Sequence, residues 1–516
     1  MPDGPPGSAD VSFELNGTRV SVPARRSLLD ALRDDVGVRS VKDGCSPQGQ
    51  CGCCTVWIDG KPRVACVTPV ARAAGRQVTT IEGLADGERW ATAFATVGAS
   101  QCGFCTPGII MRLAALDGHE RRAVDQAMLA HLCRCTGWQT IREATVAVRS
   151  GAARPSPASS EGATRRAGLE GRAPQRVGPD VALGRGGFAD DLAPPDALVA
   201  MLAADGSWVV ADDVATARAA TGKLQGRRTT APPGWPIDLP AGAWDRTLQT
   251  TWVEPAYLEP DATWCAPGRE PASPVGNGGA FGGKLDGRLG AVARRLADEH
   301  GRAVRVLATR EDVVRHGPKR PPMAIGMRAD GGGTVRVART DGIEEVIATV
   351  APDLRVELVD VPGPPTSASI RAAGWAEIAA VRASLGGGDR MEIRSPDGAF
   401  ASAHVDTDEA GAEVVSIRVR CGEPLDEVVL RSYCIGAAHM ALGWVRSEAL
   451  SVAADGAPLD LTIRSFGVLR SADTPHVDVE IEPSGGAPVN GSDAVFAAVA
   501  AAAWRATGWA PRWPAR

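Results

Sequence analysis

The chain has 516 residues, of which 44% are hydrophobic and 23% charged, with a formal net charge of -5; that length allows three or more domains with sizeable cores. A small negative charge and no long basic run give a nucleic-acid partner no electrostatic support. No run of eighteen apolar residues predicts a membrane span, and the opening MPDGPPGSAD has no basic and apolar leader, so a cytoplasmic location is expected.

From the N-terminus, SFELNGTRVSVP alternates apolar and polar residues around Asn16-Gly17, which predicts a two-residue hairpin. RSLLDALRDDVGV reads as an amphipathic helix with Leu28, Leu29 and Leu32 on one face and Gly37 past its end. TVWIDGKPRVACV is a second strand pair turning at Asp59-Gly60. Between helix and strands runs GCSPQGQCGCCTV, and Cys66 follows Cys54 after eleven residues. Three thiolates on one loop and a fourth from beyond a following strand are how plant-type ferredoxins hold a 2Fe-2S cluster, with C-x4-C-x2-C spacing. The first gap here is one residue longer, an extension that Gly49 and Gly52 can absorb through backbone angles other residues avoid. The proposed ligands are Cys45, Cys51, Cys54 and Cys66. Cys53 reads as a packing residue or spare thiol, with exchange for Cys51 or Cys54 left open.

After about residue 84 the pattern turns helical through Val148. QCGFCTPG and, 27 residues after Cys105, LCRCTGW bring a second set of thiols, Cys102, Cys105, Cys133 and Cys135. Four thiolates suit iron or zinc equally by softness. The segment between them has apolar residues at helical spacing, Ile109 with Leu113, then Val124, Met128 and Leu132, whereas a zinc ribbon sets its thiols on turns between strands. Helix ends therefore favour iron, and bridged C-x-C or C-x2-C pairs would constrain little as disulfides.

These four motifs in order, over nearly all of residues 11 to 150, resemble the iron-sulfur portion of the molybdenum hydroxylases, the xanthine dehydrogenase and aldehyde oxidase family. The resemblance implies a ferredoxin-like (β-grasp) 2Fe-2S domain at 11–84, its cluster facing a flavin, and a helical-bundle 2Fe-2S domain at 85–150, its cluster nearest a molybdenum pterin. It places Gln101 and Cys135 at the pterin edge.

Residues 151–180, rich in Pro, Ser, Gly and Ala, read as a flexible linker. Beyond it, 181–516 reads as a shortened α+β molybdopterin-domain-like region, on fragments such as VEPAYLEPDATW, RVLATREDVVRHGPKRPP and GAAHMALGWVRSEAL. Gly278 to Lys284, GGAFGGK, is by itself a weak phosphate-loop signal. It is similar to the family's loop over the molybdenum centre, which implies Gly279, Ala280 and Phe281 beside the metal and Arg371 on the substrate side. The family's molybdenum subunit is more than twice as long as this region, and its GxGE segment, with the glutamate base, has no match: Val489 to Ala494 puts Ser492 at the glutamate position. A hydroxyl cannot take a proton as a carboxylate does, and Asp493 reads as an N-cap for VFAAVAAAAW. The histidines show no paired ligand spacing, and Cys265, Cys421 and Cys434 read as buried filler.

The overall expectation is an α+β electron-transfer subunit with two 2Fe-2S clusters and no catalytic residue of its own. A molybdenum-pterin subunit would supply electrons and a flavin (FAD) subunit receive them. The alternatives are a self-contained hydroxylase holding molybdopterin in 181–516, and a redox-sensing or structural cluster protein.

Overall fold

The structure is a computed structural model and describes residues 10–151, 160–223, 231–284 and 287–515. The first unit is a five-stranded sheet in the order β2-β1-β5-β3-β4, from β1 (Asp10–Leu15), β2 (Thr18–Pro23), β3 (Thr55–Ile58), β4 (Lys61–Val64) and β5 (Gln77–Thr79). Strands β1 and β5 run parallel and the other neighbours antiparallel. Both expected turns form, with left-handed backbone at Asn16-Gly17 (φ 50° and 83°) and Asp59-Gly60 (φ 48° and 72°).

The expected amphipathic helix is reshaped. One α-turn, Leu28–Asp30, is capped by Ser27, whose Oγ accepts the Asp30 N–H at 3.1 Å, and a π-helical stretch, Ala31–Asp35, continues it. The wider turn still buries Leu28, Leu29 and Leu32, and it also lets the Arg33 guanidinium reach the Val41 carbonyl at 2.8 Å. Cys66 sits on a 3-10 turn, Ala65–Val67, just past β4.

The helical unit comprises α1 (Gly87–Thr96), α2 (Thr106–Ala114), α3 (Arg121–Ala127) and α4 (Gln139–Arg149). The stretch expected as a flexible linker, 151–180, is corrected over its described part: α5 (Ser160–Gly171) is a docked helix. Its anchor is a cation rather than an apolar stripe. Arg166, fully buried, donates to the carbonyls of Pro424 and Val489, both at 2.8 Å, and pairs with Glu170 at 2.9 Å. Residues 152–159 lie outside the described residues.

Three four-stranded sheets build the remainder. One holds Leu198–Leu202, Trp208–Ala211, Ala262–Cys265 and Val304–Leu307; α6 (Arg288–His300) packs on it. The second holds Arg246–Gln249, Met323–Met327, Gly333–Ala338 and Arg355–Val359, with α7 (Trp375–Leu385) against it. The third holds Met391–Arg394, Phe400–Thr407, Glu413–Arg420 and His476–Ile481. Between them run α8 (Glu427–Arg446) and α9 (Ser492–Ala506), joined by stacking of Trp444 on Phe496 at 5.2 Å. Helix α8 is long and apolar enough to cross a membrane, but nearly all of it is buried inside the fold. A single apolar cluster runs from Phe13 to Trp513, so the N-terminal units share a core with the rest.

Candidate metal centres

The first thiol group hangs on the loop from Gly44 to Cys54, shaped by left-handed Ser46, Gly49 and Gly52. Gly52 is obligatory: a Cβ there would lie 2.4 Å from the His131 ring. Cys45, Cys51, Cys53 and Cys54 are 1% exposed and Cys66 is 6% exposed. The Cys45 sulfur meets the thiols of Cys51 and Cys66, and Cys66 in turn meets Cys54. Two backbone N–H groups, of Gln48 (3.1 Å) and Gln50 (3.5 Å), point at the Cys45 sulfur, and that of Cys66 at the Cys54 sulfur (3.4 Å). The Cys51 and Cys66 thiols first, then these amides, hold Cys45 well below the usual thiol range. Such donors stabilise anionic sulfur, as cluster thiolates require.

In the second group Cys102 and Cys135 stand 3.6 Å apart, and Cys105 faces Cys133 as a separate pair. Hydrogen bonding from Cys105, reinforced by Thr136 (Oγ1 at 3.1 Å), pushes Cys133 down to about 6. Cys105 is the N-cap residue of α2, where the helix end favours negative charge. One zinc ion would draw all four sulfurs to roughly 3.8 Å from one another, given a Zn–S bond of about 2.3 Å. Among the described residues no three Cys, His, Asp or Glu converge on a single metal ion in that way. Thiols gathered in two pairs instead suit a cluster of two irons, each iron taking two thiolates.

The two groups are stitched together. The Leu132 N–H, one residue before Cys133, donates to the Cys51 carbonyl at 3.0 Å. Gly108 of α2 lies so close to the Gly52 and Cys53 carbonyls that a Cβ would approach them to 2.4 and 2.8 Å. His131 places Nε2 3.1 Å from Thr55 Oγ1, and burial lowers its pKa to about 3, so the ring is neutral at neutral pH. Cys53 contacts the Cys51 thiol from the side of the loop and none of the other three expected ligands in this way.

The glycine loop reaches the second group directly. Gly278, Gly279, Phe281 and Gly282 are all left-handed, and a Cβ on Gly279 would meet the Cys102 sulfur at 2.9 Å. Ala280 follows, 5% exposed. The Gln101 amide, expected at a pterin edge, donates instead to the Cys135 carbonyl (2.9 Å) and to Ser432 Oγ (2.9 Å) on α8. Gly436 of α8 presses on the same carbonyl, which would lie 1.8 Å from a Cβ. Arg371, expected to face substrate, is buried over the Phe281 ring at 4.6 Å. It bonds Asp493 Oδ1 at 3.0 Å and Ser492 Oγ at 2.7 Å. Asp493 is therefore not the N-cap of α9: the Asn490 side chain accepts its N–H at 2.9 Å.

The cavities touching Phe281 measure about 20 Å³, lined also by Arg371, Arg134 and Glu448, and about 150 Å³, lined by Arg172, Lys284 and Ser369. Clefts of about 230 and 620 Å³ lie elsewhere and share none of the loop's residues. Sites for ligands of drug size span about 300–1,000 Å³, so among the described residues neither cavity at Phe281 has room for a pterin dinucleotide. The orphaned Gln101 Oε1 and Gln175 Nε2 are polar atoms that a ligand could satisfy, but space decides against one.

Sequence reasoning missed Glu170, whose carboxylate accepts the N–H groups of Gly491 (3.0 Å) and Ser492 (2.8 Å), and the buried Arg134–Glu448 pair at 2.5 Å. Apart from Arg166, four residues before Glu170, their partners lie hundreds of residues away. Arg134 alone carried a hint, a cation placed between two expected ligand cysteines.

Comparison with known proteins adds to this geometry. Residues 8–83 match the family described as a 2Fe-2S iron-sulfur cluster binding domain, and residues 80–146 match the [2Fe-2S] binding domain family. The nicotine 6-hydroxylase small subunit of Paenarthrobacter nicotinovorans is 40% identical over 150 residues, covering 28% of this chain and 90% of that protein. The xanthine dehydrogenase iron-sulfur-binding subunit of Escherichia coli O157:H7 is 40% identical over 122 residues, covering 22% of this chain and 76% of that one. The solved aldehyde oxidoreductase of Desulfovibrio gigas superposes with a TM-score of 0.68 at 15% identity, over 96% of this chain and 97% of that chain, a likeness of fold.

Proposed function

Because the chain belongs to the molybdenum hydroxylase family, we propose that it is an iron-sulfur electron-transfer component of such an oxidoreductase system. Cys45, Cys51, Cys54 and Cys66 hold one 2Fe-2S cluster; Cys102, Cys105, Cys133 and Cys135 hold the other. A bound two-iron cluster supplies a site that gains and loses one electron. The chain's own part is to fix the two sets of thiolates, to aim amide N–H groups at their sulfurs, and to exclude water. The observation that carries the reading is the gathering of four thiols in each group, a chain from Cys51 through Cys45 and Cys66 to Cys54 in the first and two pairs in the second, together with the hydrogen bond to the Cys51 carbonyl from Leu132, one residue before Cys133.

Electrons leave, on this reading, toward a flavin-bearing partner at the Cys66 side, where the loop reaches the surface. The expected hand-over from a molybdenum-pterin subunit at the Gln101 edge forms no part of the proposal, because α8 and the glycine loop cover that edge. A self-contained hydroxylase is disfavoured by the same packing and by the absence of a carboxylate at Ser492.

Serine variants test the ligand assignment. Reduced wild-type protein should give two distinct paramagnetic signals; Cys54→Ser should perturb one of them and Cys105→Ser the other. Variants that both alter the same signal would sink the assignment of two separate clusters.

A further inference from the structure

The surroundings of the two thiol groups differ in one respect that bears on how electrons can reach them. Every residue from Gly98 to Met111 and from His131 to Ile141 is buried, Cys102 being the most exposed thiol of its group at 8%. Around the Cys45 group, by contrast, Pro47 to Gln50 are half-buried and Val67, next to Cys66, is 58% exposed.

What buries the Cys102 group is this chain's later part. The Asn277 amide donates to the Cys102 carbonyl at 2.9 Å, and Gly279 lies on the Cys102 sulfur. Val181 fills the space over Gly103, where a Cβ would come within 2.4 Å of it. Ser432 and Gly436 of α8 hold Gln101 and the Cys135 carbonyl. Behind this layer sits a closed set of buried polar groups: Arg371 with Asp493 and Ser492, and Glu170 on the first amides of α9. On the Arg371 side of Phe281 those pairings leave about 20 Å³, and about 150 Å³ remains on the side lined by Arg172 and Lys284. Buried ions that satisfy one another in this way form structure, and removing one partner leaves a costly unpaired charge.

We propose that the described residues of 160–223, 231–284 and 287–515 form a resident plug standing where a pterin would, which makes the Cys102 group an internal electron store, filled and emptied through the Cys45 group. The inference rests on the reading that both groups hold 2Fe-2S clusters. Each cluster takes one electron, one ferric iron becoming ferrous. Both electrons come singly from a one-electron donor docked at Gln48 to Gln50 and Val67, and both leave the same way. The first to arrive passes on across the contact between Cys51 and Leu132 and vacates the Cys45 group for the second.

The test uses the full chain, purified without oxygen from a host that makes the pterin cofactor, with reduced plant-type ferredoxin as donor and rapid freezing to follow each cluster's paramagnetic signal. Val67→Glu adds a charge at the proposed port without replacing a ligand. It should slow the reduction of both clusters by the same factor, about fivefold, with iron content and melting temperature unchanged and no measurable molybdenum or pterin in either protein. Slowing of the Cys45 signal alone would reveal a second way in and overturn the store; unchanged rates for both would overturn the port. Stoichiometric pterin beside a full complement of iron would overturn the plug while leaving the cluster reading intact. Missing iron would instead bring down the reading beneath it.

Discussion

Cys53 separates a motif from the chemistry it encodes. It lies between two proposed ligands, is as buried as they are, and touches only Cys51 among them, while Cys54 meets Cys66 across the loop. Cys53→Ala should therefore keep about four irons per chain, whereas Cys54→Ala should drop to about two; iron analysis of the purified variants decides, and the reverse result would exchange the two roles. Burial acts on a different residue through acid stability. His439 is fully buried with Nε2 3.0 Å from the Leu469 carbonyl, and burial, helped by the charge of Arg134, lowers its pKa from 6.5 to about 4. The native ring is neutral, so between pH 6.5 and 4 the unfolded chain binds the extra proton and stability falls as pH falls. That loss is worth roughly 3 kcal/mol, and His439→Gln should flatten this part of a melting-temperature profile. An equally steep profile in the variant would exclude His439 as the cause.

At the level of elements, what the sequence displays is what neighbouring residues decide among themselves. Asn16-Gly17 and Asp59-Gly60 fix their turns through backbone angles, and the eight cysteines fix their groups through spacing on short loops. Helix α5 was hidden because its hold is Arg166 on carbonyls of residues 423–424 and 489, not an apolar stripe that a periodicity could show. The fate of Arg371 was hidden for the same reason: a motif marks the residue, but Asp493 lies over a hundred residues away. Helix α8 offers a test of the packing itself. Replacing a mid-helix glycine by alanine ordinarily gains about 1 kcal/mol. At Gly436 the Cβ would meet the Cys135 carbonyl at 1.8 Å, a backbone atom that cannot step aside. Gly436→Ala should instead cost about 1–3 kcal/mol, read as a lower melting temperature; a gain would mean that α8 does not lie on the second group as described.

Across the whole molecule, the two cluster units and the later region form one body rather than beads on a string. Their contacts include the Arg134–Glu448 pair at 2.5 Å, Arg33 with Asp190 at 2.7 Å, Arg310 on the Gly44 carbonyl at 2.7 Å, and one apolar core from Phe13 to Trp513. A protease site engineered into residues 152–159 and cut should thus leave the two pieces eluting together on native size exclusion. Separation under those conditions would contradict the shared core. Two of this chain's relatives are subunits that it covers to 90% and 76% of their length; here the Cys102 group is covered by later residues of the same chain. The account as a whole stands on the thiols holding iron in two clusters. The most direct measurement is iron, acid-labile sulfide and zinc per chain on protein purified without oxygen. About four irons and four sulfides with no zinc is the predicted result, whereas one or two zinc ions with neither iron nor sulfide would contradict it.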